Sequence, residues 1–310
     1  MRANKLALGL LLGAIAVTLF AASLPMTRLA VFALDPWFVT AARGALAGLV
    51  AAAVLVVLRR PIPWGDLPRL TLIALCLVIG FPGLMAVAMI TVPSAHGGVI
   101  LGLLPIATAV AAVFVAGEKP SLFFWAMSLL GAALVVGFSM RDGAILPVRG
   151  DLILFLSVAI CGTGYAFSGT LSRRMPGWEV ISWAVAISLP VLLPLAIYLW
   201  PADVADVGWP SWAGLLYVAL ISQYFGFWLW NNALAMGGVA KIGQVQLLQT
   251  FATLGLAALL LGEAIDLRMI LFATAVVVVV ALGLRARVGS HDRAIQAAAP
   301  LARATGSERS

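Results

Sequence analysis

Charge is scarce in this chain. Lysine, arginine, aspartate and glutamate make up 10% of 310 residues, against about one-quarter in an ordinary soluble domain, while apolar types reach 63%. So few charged groups cannot solvate the surface of a soluble fold of this length, which excludes that class. Histidine and cysteine are scarcer still, at two each. Cys76 and Cys161 both fall inside apolar runs, so they define neither a disulfide framework nor metal-ligand spacing. With His291 in the C-terminal tail and only His96 elsewhere, no catalytic Ser-His arrangement and no metal cluster can be assembled. A glycine-rich phosphate loop with its lysine is also missing, as is any linker long enough to hold a soluble domain. These absences predict a chain that is not an enzyme and carries no metal or cofactor.

What is present are apolar runs of about twenty residues, the length that crosses roughly 30 Å of hydrocarbon. Breaks at charge, proline and glycine clusters predict spans over 5–24, 37–58, 69–90, 94–116, 120–139, 151–171, 179–200, 211–235, 239–261 and 265–284. The first run follows Arg2 and Lys5 as a signal peptide would, but it exceeds a 7–15-residue apolar core and many spans follow, so a retained helix is expected. The tail from Arg285 to Ser310 lacks a sustained apolar face and is expected to be disordered. A net charge of +7 could suggest nucleic acid, yet the basic residues sit at span ends, where they set membrane orientation. With ten spans and a cytoplasmic N-terminus, Arg28, Arg141, Arg149 and Arg268 fall outside and Arg43 within a span. The other fourteen of the 19 basic residues fall inside. Both termini are therefore expected in the cytoplasm of a bacterium, with the chain multi-pass in the inner (plasma) membrane.

Displacing the chain along itself by 145 residues, without gaps, superposes Phe20-Ala21-Ala22-Ser23 on Tyr165-Ala166-Phe167-Ser168 and Arg28 on Arg173. It also pairs Gly98 with Gly243, Ala107-Thr108 with Ala252-Thr253, and Gly117-Glu118 with Gly262-Glu263. Each repeat holds five spans. Five is odd, so the second repeat enters the membrane from the opposite side. The expected fold is an all-α membrane protein of ten transmembrane helices as two inverted five-helix repeats, 1–140 and 150–285, followed by a tail over 286–310. Inverted repeats are typical of secondary transporters that bind solute near the midplane.

Two segments carry a family resemblance. Ser94-Ala95-His96 to Gly117-Glu118-Lys119-Pro120, and Gly243 through Gln249 to Leu261-Gly262-Glu263, resemble the fourth and ninth helices of EamA-type carriers of the drug/metabolite transporter superfamily. The resemblance runs over about residues 5–285. It implies passage of a small metabolite through a central cavity without ATP hydrolysis. The expected cargo is a small organic solute such as an amino acid or related compound, moved outward by alternating access. Its partners would be that solute and the lipid bilayer, with no nucleic acid; homodimer formation is left open. An integral membrane enzyme acting on a lipid or activated donor is the alternative reading.

Polar groups inside spans are costly and face a cavity or a partner helix. Gln223, Tyr224, Phe227, Trp230 and Asn231 share one face of the eighth span at 100° per residue, joining aromatic surface to amide groups as an amphipathic solute requires. In the sixth span Ser157, Cys161, Gly164, Tyr165 and Ser168 form an arc; the small residues also suit close helix packing, while Tyr165 has the bulk to touch a substrate. Gln246, Gln249, Thr250 and Thr253 share a face of the ninth span, either lining the cavity or bonding between helices. Arg43, inside the second span, either holds helix-end carbonyls or binds a substrate carboxylate, and its repeat partner is Ser188. His96 titrates near physiological pH and could relay protons; its repeat partner Lys241 could extend to the cytoplasm. Glu118 and Glu263 are expected to fix the turns after their spans.

Overall fold

A computed structural model describes residues 2–116, 121–139, 149–237, 242 and 245–283. Glu118, Lys119, Arg141, Lys241, Gly243, Gln244 and the tail lie outside the described residues. The described residues are helical, with no strand. In hydrocarbon, backbone N–H and C=O groups have no water to bond, so a lone apolar segment must satisfy them within itself as a helix. Seven helices are long and apolar enough to cross a bilayer: α1 (Lys5–Val31), α2 (Pro36–Val57), α3 (Trp64–Ala88), α4 (Ser94–Val115), α6 (Arg149–Leu171), α7 (Gly177–Tyr198) and α8 (Trp209–Met236). Three shorter apolar helices complete the set: α5 (Leu122–Phe138), α9 (Leu247–Leu261) and α10 (Leu267–Gly283). Large apolar side chains such as Phe114, Leu122, Leu259 and Leu267 stand exposed on the outside of the bundle, the surface that suits lipid rather than water. The chain is a multi-pass membrane protein.

One expectation is corrected here. The first span does not end at Leu24 with Arg28 in a loop. Helix resumes at Ser23 after a turn at Ala22 and carries Arg28 on its last turn. Pro25 causes the interruption, because it has no N–H to give the Ala21 carbonyl and its ring crowds the preceding turn. Proline also shapes α3. Over Leu75–Gly80 the helix widens to π geometry, and the Phe81 N–H bonds to the Cys76 carbonyl, skipping that of Leu77. The next residue, Pro82, has no N–H either, so the Leu77 carbonyl has no helical donor. A second π segment occupies Tyr217–Gly226 of α8. Displaced by 145 residues, the first π segment falls inside the second.

The packing crosses between the halves in matched fashion. Helix α2 lies against α7, and α4 against α9. Helix α1 packs on α8 and α9, while α6 packs on α3 and α4. The contacts are close because small residues make them: a Cβ on Gly162 would come within 2.6 Å of the Ala107 backbone, and one on Gly164 within 2.6 Å of the Leu77 side chain. The small residues of α6 thus pack against α3 and α4.

Each end of the bundle carries an ion pair joining the halves. At one end Arg60, in the link after α2, lies 3.3 Å from Glu179 of α7 and stacks over Trp178. At the other, Arg28 of α1 lies 3.4 Å from Glu263, just beyond α9. Gly262 adopts a positive φ of 63°, a left-handed turn that glycine makes at little cost. That turn aims Glu263 back across the bundle, where its carboxylate accepts bonds from Ser94 N, Ser94 Oγ and Ala95 N. These are the first amides of α4, the free donors of a helix N-terminus. Glu263 therefore does more than fix a turn: it caps a helix of the opposite half.

Candidate functional site

The polar residues between the helices divide into those with complete bonding and those without. The carbonyls freed by proline are taken up by side chains of the other half. Thr253 Oγ1 of α9 donates to the Ala21 carbonyl at 3.0 Å, and Gln223 Nε2 of α8 donates to the Leu77 carbonyl at 3.2 Å. Tyr224 bonds Ser182 at 3.0 Å. Asn231 donates to the Gly177 carbonyl and accepts from Ser168, both at 3.1 Å. Ser157 donates to the Phe81 carbonyl. Thr253, Tyr224, Asn231 and Ser168 thus serve interhelical bonding.

The others include Thr27, Ser172, Trp183, His96, Asp151 and, buried between the halves, Arg43. Its guanidinium is 2% exposed, and no carboxylate among the described residues pairs with it. Among the described residues its one hydrogen bond is long, from Nη2 to Ser222 Oγ at 3.4 Å, and its Nε has no partner. Ser222 is itself engaged with Ser23 at 2.6 Å. Cys161 and Tyr165, one turn apart on α6, also lie in the electrostatic neighbourhood of Arg43. The Cys161 thiol and the Gln246 side chain lie in the electrostatic neighbourhood of the Tyr165 hydroxyl. Helices α1, α2, α6 and α8 and the segment leading into α9 therefore meet here, from both halves of the chain. Buried polar atoms without a bond also include Gln223 Oε1, next in sequence to Ser222, Trp230 Nε1, beside the Tyr165 ring, and Gln246 Nε2 and Gln249 Oε1 at the start of α9. A buried group without a partner costs about 1–3 kcal/mol, more when charged. Each such group in a native structure calls for an explanation.

An aromatic floor adjoins this polar group. Phe20 and Phe227 have ring centroids 5.0 Å apart, and Trp230 lies 6.2 Å from Phe20. Tyr165 lies 5.8 Å from Phe227 and 6.0 Å from Trp230. Tyr165 thus joins the rings to the arginine, its ring in one set and its hydroxyl in the other. Phe20 and Tyr165 are repeat partners, so each half supplies one of these rings from the same position.

His96 stands apart, at the Glu263 end. It is stacked on Phe138, with centroids 4.4 Å apart, and its Nε2 lies 3.0 Å from Asp151 Oδ1. Both residues are buried, at 2% and 1% side-chain exposure; the contact is an ion-pair distance, and neither His96 Nε2 nor either Asp151 oxygen has a hydrogen-bond partner among the described residues. Asp151 escaped the sequence reading because it opens the sixth span and looks like a boundary residue. Ser23 and Ser222 escaped because single serines in apolar helices carry no periodic signal. No group of three or more metal-ligating side chains occurs among the described residues.

Against known proteins, the model of the EamA-like transporter family matches this chain twice, over residues 7–140 and 148–285. A curated relative, the "Uncharacterized transporter YdeK" of Bacillus subtilis (strain 168), is 43% identical over 283 residues, covering 91% of this chain and 99% of the relative. One solved structure superposes with a TM-score of 0.60 at 22% identity, over 90% of this chain and 97% of its own, a likeness of fold alone.

Proposed function

The chain belongs to the EamA-like transporter family, with two copies of its repeat, and from that premise we propose that it is a secondary transporter of the bacterial inner membrane. In this reading it moves a small organic metabolite, such as an amino acid or related compound, outward by alternating access. Counting the three shorter helices as spans gives ten, and five per repeat makes the repeats inverted. Both termini then lie in the cytoplasm, and the Glu263 end faces outward. The crossed packing, the matched π segments and the repeat-related ring pair Phe20 and Tyr165 support a pseudo-twofold relation between the halves.

The observation that carries the reading is the buried, incompletely bonded polar group around Arg43, placed where the two repeats meet. Gln223, Phe227, Trp230, Tyr165, Gln246 and Gln249 adjoin it, while Tyr224 and Asn231 hold α8 to its neighbours. The ion pairs Arg60–Glu179 and Arg28–Glu263 both join opposite halves, so rocking one half on the other opens one end while the other pair stays closed. His96 and Asp151 also come from opposite halves. Parting the halves opens this buried pair to solvent. That makes the pair a proton relay for coupling. The membrane-enzyme alternative gains no support from any of these contacts.

Reconstitution of the full chain in proteoliposomes tests the reading. Accumulation or release of one or more solutes from a broad metabolite panel, dependent on the protein, is expected. Absence of flux for the whole panel, with and without a pH gradient, would overturn it.

A further inference from the structure

We infer that the cargo is a monocarboxylate with an apolar, ring-sized body, held with its carboxylate on Arg43 and its body on Phe20, Tyr165, Phe227 and Trp230. The inference rests on the transport reading above and deepens it by naming the chemical class.

The sign of the charge comes from Arg43. An arginine keeps its proton in nearly any surroundings, so this side chain is a permanent cation in the centre of an apolar bundle. Structural arginines elsewhere in the chain show what such a group ordinarily acquires. Arg28 has Glu263, the Val92 carbonyl and the Phe32 ring, and Arg60 has Glu179 and Trp178. Arg43 has a serine hydroxyl at 3.4 Å and an Nε with nothing. Taking a cation out of water without an anion costs several kcal/mol. An arriving carboxylate supplies what is missing, in the two-pronged geometry that guanidinium favours.

The number of charges comes from the neighbourhood. No second cation among the described residues accompanies Arg43; its polar company is Ser23, Ser222, Cys161, Tyr165 and the amides. One positive charge balances one negative charge. A phosphate dianion would leave an excess, and an amine cation would meet like charge.

The body comes from the rings. Phe20, Phe227 and Trp230 are buried, and the three rings with Tyr165 form one continuous apolar surface at centroid separations of 5.0–6.2 Å. Phe20 lies one helical turn before Ser23, on the same face of α1. Ser23 bonds Ser222, the hydroxyl that meets Arg43. The guanidinium and the rings are therefore linked through the Ser222–Ser23 pair and one turn of α1, so the expected cargo carries a short chain between carboxylate and ring.

The test uses a matched series of probes with the purified full chain: 3-phenylpropionate, 3-phenylpropanol and 3-phenylpropylamine, with acetate for the carboxylate alone. Binding is followed by tryptophan fluorescence and calorimetry. The expected order is 3-phenylpropionate tightest, the alcohol at least about tenfold weaker, and no saturation by the amine or acetate. Arg43→Gln should lower 3-phenylpropionate affinity at least about tenfold while leaving the alcohol unchanged, and Arg43→Lys should retain part of it. Equal binding of acid, alcohol and amine by the wild type overturns the inference without recourse to any variant, as does an Arg43→Gln protein that binds the acid as tightly as wild type. Flux separates the two levels. Binding of 3-phenylpropionate with no flux of any solute defeats the transport reading, whereas flux confined to amines or neutral solutes defeats the carboxylate assignment alone.

Discussion

Arg28 and Arg43 lie fifteen positions apart and both pack against the opposite half of the chain, yet they occupy opposite electrostatic situations. Arg28 stands at the end of the bundle, partly open to solvent, and is surrounded by a carboxylate, a carbonyl and a ring. Arg43 is sealed in the middle with a single long bond to a hydroxyl. Burial raises the need for partners, and the more deeply buried of the two has fewer. The difference teaches that the Glu263 end is a finished joint, while the bonding of the centre is incomplete. Stability and binding should therefore separate between them.

The largest effect falls at the joint. Glu263→Ala strips the cap from α4 and leaves Arg28 without its carboxylate, so thermal or denaturant unfolding should show a loss of about 3 kcal/mol; a loss under about 1 kcal/mol would mean that the joint is not closed in the resting protein. Next comes the contrast of the arginines. Arg28→Leu should destabilise by about 2 kcal/mol because Glu263 then keeps its bonds to α4 but loses its cation in a partly buried place. Arg43→Leu should hold stability within about 1 kcal/mol of wild type, or raise it, because a costly charge is replaced by apolar volume. A melt in which Arg43→Leu is the worse of the two breaks the comparison. Thr253→Val frees the Ala21 carbonyl left by Pro25 and should cost about 1 kcal/mol, the scale of a hydrogen bond between membrane helices. Smallest is Ser222→Ala, which takes away the hydroxyl that Arg43 uses. It should weaken 3-phenylpropionate about threefold, read by calorimetry, with membrane abundance maintained.

Much of this was legible in the sequence because it depends on local composition. Runs of apolar residues give helices, and the offset of 145 places Phe20 over Tyr165 and Gly117-Glu118 over Gly262-Glu263. Gln223, Phe227, Trp230 and Asn231 are buried as their shared face predicts. What each buried group bonds to was not legible, since that depends on the partner helix. The amide of Gln223 goes to Leu77 only because Pro82 and a π turn leave that carbonyl free, and a fixed 100° per residue cannot register a π turn. Asp151 has the look of a span boundary until α4 brings His96 to it. Glu263 follows a glycine, as turn-forming residues do, yet its reach to Ser94 and Ala95 crosses the whole repeat interface. Arg43 was visible as an intramembrane charge; that no carboxylate among the described residues pairs with it could be learned only once the packed helices were in place.

The central claim is that the charge of Arg43 is reserved for cargo rather than for the fold. Melting curves of wild type and Arg43→Met in detergent, each with and without 3-phenylpropionate, test it most directly. The account predicts that Arg43→Met melts at or above wild type when no probe is present, and that the probe raises the wild-type midpoint alone. A variant that melts several degrees below wild type and gains as much from the probe would contradict it.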